Sequence, residues 1–434
     1  MNKKINNTYK ELKTFLILWS TQSFSQLGSS MTAFALTLWL YEKTGSALQT
    51  ALLSICSYAP YVIMSIFAGA LSDRWNKKRT MLACDTAAAL CTVLIFTLLR
   101  GNLLMPWHLY LLNGVNGLMN TVQQPASDVA MTLIIPKKHY QRTSGLRSFS
   151  QSVITILNPV LATALFTLLG MNAVIAVDLG SFVIAFLALL FLIDVPQTNG
   201  SRTEKRESLF AAAGKGLAFL RENGLILVLI LFLAGVNLVA SAFDAVLPAY
   251  VLSVPVGGEM VLGLVTSAAG IATLIGSVVV TGMKRPKNRI RIIYITMLIS
   301  LSFENFLLAF TRVPALWCLG QLMGWLPVPI MNANMDVILR TTIPVELQGR
   351  VYSCRNTLQF FTIPVGFFLG GYLVDKVCEP LMEKAVPGGI LNRLFGAGKG
   401  SGAAMVLFLL GILGVVICLV FGRILKKYRY EETL

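Results

Sequence analysis

Six acids stand inside stretches that are otherwise apolar: Asp85, Asp128, Asp178, Asp244, Glu304 and Asp336. None has a basic residue in the interior of its own stretch. A charged carboxylate at mid-bilayer costs about 2.5–3.5 kcal/mol on insertion scales, so acids kept there need a reason. The chemistry open to them is taking a proton from one side and releasing it to the other, because a buried carboxyl prefers to be neutral and a solvated one to be charged. Asp128 and Asp244 rank first for that role, followed by Asp336 and Asp85. Asp128 and Asp336 have a second role open to them, pairing with Arg142 and Arg350 about two turns away in the adjoining basic segments. Two histidines (His108, His139) and seven scattered cysteines show no metal-ligand or disulfide spacing, so neither a metal nor a cofactor is expected.

Uncharged polar residues fall into stripes beside these acids. At 100° per residue, Asn113, Asn116, Asn120, Gln124 and Ser127 share one helical face, with Asp128 at its edge. Gln22, Gln26 and Ser29 form a second stripe, Asn237, Ser241 and Asp244 a third, and Asn332 and Asp336 a fourth. In hydrocarbon such residues face a cavity or a partner helix. Packing contacts of about 0.6 kcal/mol each account for single residues. They do not account for concentration in four stretches. Met31, Trp39, Met119, Phe243, Met323 and Trp325 would give such a cavity a bulky apolar lining.

The elements that must carry these side chains are membrane helices. Of 434 residues, 55% are apolar and 13% charged, with a mean hydropathy of +0.70. That composition excludes a soluble enzyme, a nucleic-acid-binding domain and a secreted disulfide scaffold. Stretches of spanning length fall at 14–41, 47–71, 80–99, 105–134, 146–170, 172–194, 224–252, 260–282, 290–310, 314–339, 351–375 and 402–423. The run after the basic N-terminal residues is too long for the apolar core of a signal peptide, so it is expected to be a retained first span. The net charge of +16 comes from 36 Lys and Arg against 20 Asp and Glu. Sorted by side, 29 of the basic residues lie on the side of the termini and the 194–222 linker, and seven on the other. The positive-inside rule then places both termini in the cytoplasm. Residues 376–401 become an external loop, in which Ile390–Phe395 is read as plain loop rather than interfacial helix.

A shift of 208 residues superposes Asp128-Val129 on Asp336-Val337, Ile135-Pro136 on Ile343-Pro344, and Arg142, Arg147 and Gln151 on Arg350, Arg355 and Gln359. The chain therefore divides into an N-terminal six-helix bundle (1–195), a cytoplasmic linker with a short amphipathic helix (196–223) and a C-terminal six-helix bundle (224–434). The expected fold is an all-α membrane protein, with twelve transmembrane helices in two pseudo-symmetric bundles around a central cavity.

Between the second and third stretches runs Gly69-Ala-Leu-Ser-Asp73-Arg74-Trp-Asn76-Lys77-Lys78-Arg79. This resembles the G-x-L-x-D-R-x-G-R-K/R signature of the major facilitator superfamily, with Asn76 in place of a Gly. Asn tolerates the left-handed conformation that such a turn would need. Trp19 through Ser29, Thr44-Gly45-Ser46-Ala47, Gln124-Pro125-Ala126 and Gln348-Gly349-Arg350-Val351 are similar to its macrolide-efflux and siderophore-exporter branch. The resemblance implies that the four polar stripes line one cavity and that Asp178 and Glu304, in spans packed outside it, are structural. It also implies a cytoplasmic latch of Gly69, Asp73, Arg74 and Lys78, with Arg142, Arg350 and Arg355. Two departures stand out: the fourth stretch lacks the Arg usual in drug antiporters, and their fifth-span glycine motif survives only as Gly145 and Pro159.

The function expected is secondary active export of a bulky amphipathic compound, drug- or macrolide-like, by proton antiport with rocker-switch alternating access. The partners are that substrate, protons and the lipid bilayer, without nucleic acid. A monomer in a bacterial plasma membrane is expected. Export of a siderophore or lipid, or facilitated transport without protons, remains open. A membrane-embedded enzyme would need a reactive cluster that two isolated histidines do not supply.

Overall fold

Every regular element in the computed structural model is helical, and no strand occurs among the described residues. The structure describes residues 2–136, 139–196, 209–284, 286 and 288–428, with side chains left out at 2–10, 65–74, 141–142, 209–213, 345–346, 349 and 353. In the first half the helices are α1 (Asn2–Thr44), α2 (Ala47–Arg74), α3 (Lys77–Arg100), α4 (Pro106–Ile134), α5 (Tyr140–Leu169) and α6 (Met171–Leu187), which ends in a π-helical turn (Ala188–Leu192). After the linker come α7 (Leu209–Glu222), α8 (Gly224–Ser253), α9 (Glu259–Gly282), α10 (Arg289–Phe310), α11 (Pro314–Trp325), α12 (Pro327–Thr342), α13 (Val345–Phe360) and α14 (Thr362–Tyr372). A π-helical turn (Leu373–Cys378) leads into α15 (Glu379–Glu383), and α16 (Ile390–Phe395) and α17 (Ser401–Leu425) complete the chain.

Nine helices among the described residues are long and apolar enough to cross a membrane. The three other stretches expected from the sequence are α1 and α4, which carry the densest polar stripes, and 314–339. That last stretch is divided between Trp325 and Pro327. Pro327 and Pro329 lack N–H groups, so the carbonyls four residues before them lose their helical donors. Ser300 Oγ donates to the Gly324 carbonyl just before the break, at 2.5 Å.

Contacts group the chain into two units: Met1–Thr37 with Cys56–Arg206, and Leu38–Ile55 with Glu207–Leu434. The boundary thus cuts α1 and α2 in mid-helix. In the first unit Leu12, Phe15 and Leu18 of α1 pack with Met81, Ala126, Ala130 and Leu189. In the second, Ala51 of α2 packs with Ala245 of α8 and Phe367 of α14. Ile390–Phe395 is helical rather than plain loop, because Phe395 is buried, stacks on Phe310 and packs at a tilt against Phe408.

The α8–α14 seam depends on small residues. A Cβ on Gly366 would lie 2.4 Å from the Leu238 carbonyl oxygen, and one on Gly370 would lie 2.5 Å from that of Ala242. Both obstacles are backbone, so the helices must separate before a side chain fits. Gly370→Leu is expected to cost about 3 kcal/mol or more and to lower the melting temperature in detergent sharply. Gly180→Ala, which meets nothing within 4 Å, should melt like the parent.

Candidate functional site

In the first unit the acids are tied to amides on neighbouring helices. Gln123 Nε2 on α4 donates to Asp85 Oδ1 at 2.5 Å, and Gln22 Nε2 on α1 donates to Oδ2 at 3.4 Å. Gln123 sits one residue off the predicted stripe. Asp128 forms an ion pair with Arg147 of α5 and accepts a weak bond from Gln124 at 3.5 Å. It therefore pairs with a base as the sequence allowed, but one turn further along α5 than Arg142, whose side chain is outside the described residues. Gln26 Nε2 donates to Gln151 Oε1 at 3.3 Å, and a crevice of about 330 Å³ is lined by Ser144, Arg147, Ser148 and Gln151. Asp178 is buried, and Ser29 Oγ donates to it at 2.9 Å where α1 approaches α6 through Gly28. Not every stripe residue is available to a ligand. Asn113 is buried and donates to the Leu109 carbonyl of its own helix, whereas Asn116 is half-buried and Asn120 exposed.

In the second unit Asn237 Nδ2 donates to the Gln359 carbonyl at 3.1 Å, and Arg355 Nε donates to Gln359 Oε1 at 3.0 Å. Gln151 meets α1 through its side-chain oxygen, whereas Gln359 meets α8 through its backbone carbonyl and turns its side chain to Arg355. Ser241 is buried and turned to the carbonyl of Asn237. Asp244 differs: it is exposed, while residues 241–243 and 245–247 around it are buried. Asn332 and Asp336 are exposed on α12. Met31 and Phe243, expected as lining, are packed away at 2% exposure.

Of the latch residues, the side chains of Gly69, Asp73 and Arg74 also fall outside the described residues. Lys78 Nζ donates to the carbonyls of Leu190 (3.0 Å) and Ile193 (2.7 Å), capping the end of α6 within its own unit. Asn76 is extended (φ −65, ψ 116) rather than left-handed, and its side chain caps α3 by accepting from the Arg79 N–H at 3.0 Å. The Arg350 backbone packs against Gly216, so α7 docks on α13.

The tip of the first hairpin, 38–55, is held within the second unit. Tyr41 Oη donates to the Ala249 carbonyl at 3.1 Å and is bonded to Ser253 Oγ. Asp375, in the π-helical turn, accepts from Ser46 Oγ (2.5 Å), Ala47 N–H (3.0 Å) and Leu48 N–H (2.9 Å) at the start of α2. Gly371 lets the two backbones meet, since a Cβ there would lie 2.6 Å from Leu48 Cα. Beside this lock, partial burial and a hydrogen bond with Glu259 push the Glu42 carboxyl up to about 7. A raised carboxyl stabilises the fold below its unfolded value near 4.5, and that contribution fades as pH climbs through about 7. The melting temperature should therefore fall over that interval, and Glu42→Gln should remove that part of the pH dependence. A variant with the parent's pH profile would refute the shared proton.

The sequence profile of the Major Facilitator Superfamily matches residues 18–366. Over 368 residues, 84% of this chain and 90% of the relative, the chain is 24% identical to Macrolide efflux protein A of Streptococcus pyogenes. It is also 24% identical to Multidrug efflux pump Tap of Mycolicibacterium fortuitum over 362 residues, 80% of this chain and 86% of that one. Among solved structures, a bacterial homologue of the iron transporter ferroportin in an inward-facing state superposes with a TM-score of 0.68 at 16% identity, covering 95% of this chain and 98% of that one.

Proposed function

The chain belongs to the Major Facilitator Superfamily and is a multi-pass membrane transporter rather than an enzyme; from that premise we propose that it exports a bulky amphipathic, macrolide-like compound from a bacterial cytoplasm by proton antiport. Twelve spans in two bundles, 1–195 and 224–434, alternate access to a polar pathway, with the 196–223 linker and both termini in the cytoplasm. Gln22, Gln26, Ser29, Asn116, Asn120 and Gln124 contribute from the first half, and Asn237 and Asn332 from the second. The observation that carries the coupling is Asp244, an exposed acid midway along an apolar helix, which no ion pair reaches among the described residues. Asp128, paired with Arg147, suits a conformational latch better. The likeness to macrolide and multidrug efflux proteins supports export of this substrate class.

The test is reconstitution in liposomes with an imposed pH gradient, following internal pH together with erythromycin movement. Erythromycin should speed collapse of the gradient. If neither erythromycin nor cationic dyes nor siderophores move protons, antiport is wrong.

A further inference from the structure

Residues 379–400 are pinned against the second unit yet show an apolar edge. Glu379 Oε1 accepts from the Gly400 N–H at 2.9 Å, which closes the segment on itself just before α17. Arg312, in the turn between α10 and α11, donates from Nη2 to the Phe395 carbonyl at 3.0 Å. The guanidinium packs so closely there that a Cβ on Gly396, where φ is +78, would run into it. Held in this way, the segment cannot fold its outer side chains in: Val386 is 75% exposed, Ile390 77%, Leu394 48% and Leu381 44%.

Ring contacts give the depth at which this edge lies. The Phe395 ring is 5.4 Å from that of Phe408 and 6.2 Å from that of Phe310, and Phe408 is 5.8 Å from Phe306. Phe408 stands seven residues beyond Ser401, where α17 starts, or about 10 Å along the helix at 1.5 Å per residue. Helix α16 therefore lies alongside the ends of two apolar spans rather than above them. Phe303 and Phe310, on one face of α10, are exposed on the same flank.

At 100° per residue, α16 turns Leu391 and Phe395 to the bundle, Ile390 and Leu394 to one side, Asn392 to the other and Arg393 outward. Asn392 Nδ2 donates to the Val386 carbonyl at 3.3 Å, and Arg393 Nε to that of Gly388 at 3.0 Å. The exposed Arg393 keeps its terminal nitrogens without a partner among the described residues. Between 380 and 400 the one acid, Glu383, is outnumbered by Lys384, Arg393 and Lys399.

We propose that residues 381–394 anchor this end of the second unit in the membrane interface, with Val386, Ile390 and Leu394 in the acyl boundary and Lys384 and Arg393 on anionic lipid phosphates. The bilayer is the occupant that the position fits, because the apolar edge continues the lipid-facing flank of α10 at the depth where that span ends. A guanidinium pairs with phosphate oxygens through charge-assisted hydrogen bonds, and a net basic segment is drawn to an anionic surface. Through Arg312 the anchor also fixes the α10–α11 turn at the interface.

The experiment uses the full chain, its native cysteines replaced, in nanodiscs of equal parts phosphatidylcholine and phosphatidylglycerol. A nitroxide is placed at Ile390→Cys or Leu394→Cys, with Phe303→Cys as the lipid-facing reference and Glu383→Cys as the aqueous one. Collisions with oxygen and with a water-soluble nickel chelate should place the labels at 390 and 394 about 5–10 Å below the phosphates. Nickel collisions as frequent as at Glu383→Cys would put the edge in water and overturn the anchor. Labels shielded from both reagents would mean that a protein or a second copy of this chain covers the edge, which overturns it as well. Adding Lys384→Gln and Arg393→Gln should make both labels shallower, and an unchanged depth overturns the phosphate contacts. Should the cysteine-free chain fail to fold, Ile390→Trp in the native background decides. The fluorescence it adds should be quenched by lipids carrying a nitroxide near the headgroup, and quenching by aqueous iodide instead overturns the anchor.

Discussion

Asp244→Asn is expected to leave a transporter that carries substrate only down its own gradient. A pH difference of one unit is worth about 1.4 kcal/mol per proton, and 100 mV adds about 2.3 kcal/mol per charge. Exchange of one proton for one monovalent cation moves no net charge, so the potential drops out and one pH unit sustains a concentration ratio of about 10-fold. Without an ionisable group at position 244 that limit collapses toward unity, whatever the affinity for substrate. Erythromycin accumulation in everted vesicles reads this directly. Undiminished uphill accumulation by Asp244→Asn would remove Asp244 from the coupling, and the same measurement on Asp128→Asn shows whether the ion pair with Arg147 matters for direction or only for structure.

Asp375→Ala should release the tip of the first hairpin. The Asp375 carboxylate accepts one hydroxyl and two backbone N–H groups, at the helix end where a negative charge is most favourable. Losing a cap of this kind costs about 2–3 kcal/mol, which shifts the open fraction by about 30- to 150-fold. Ala47 has 0% exposure, so a cysteine placed there in a background without native cysteines should react slowly with maleimide. It should react far faster in the alanine variant and at an intermediate rate in Asp375→Asn, whose amide oxygen still accepts. Equal rates in all three would mean that apolar packing around Ala51 and Phe367 holds the hairpin without Asp375.

Much of the architecture is legible in the sequence because membrane spans declare themselves by length and hydropathy. The 208-residue repeat pairs positions in the sequence, but Gln151 accepts from Gln26 through its side chain and Gln359 from Asn237 through its backbone carbonyl. Partnerships are less legible. Gln123 lies one residue off the predicted stripe yet donates to Asp85, because a wide helical face offers more than one column of side chains. Asp128 pairs with Arg147, a partnership that composition does not encode. Glu304 reads as structural on its own helix, and its setting comes from Gly324, 20 residues away at a helix break, where an added Cβ would lie 2.6 Å from the carboxyl carbon. Asp375 looks like one acid at the edge of a loop until the start of α2 is seen to rest on it.

The unit boundary at Thr37 and Leu38 falls inside an unbroken helix, where no loop can absorb displacement. From Leu38 back to Gln26 the α1 rod is about 18 Å long at 1.5 Å per residue. Gln22, one turn further, holds Asp85. Helix α1 is thus one continuous rod from the tip that Asp375 holds to the amides around the first-half acids. On the antiport reading proposed above, Asp375 acts on protons and cargo without touching them.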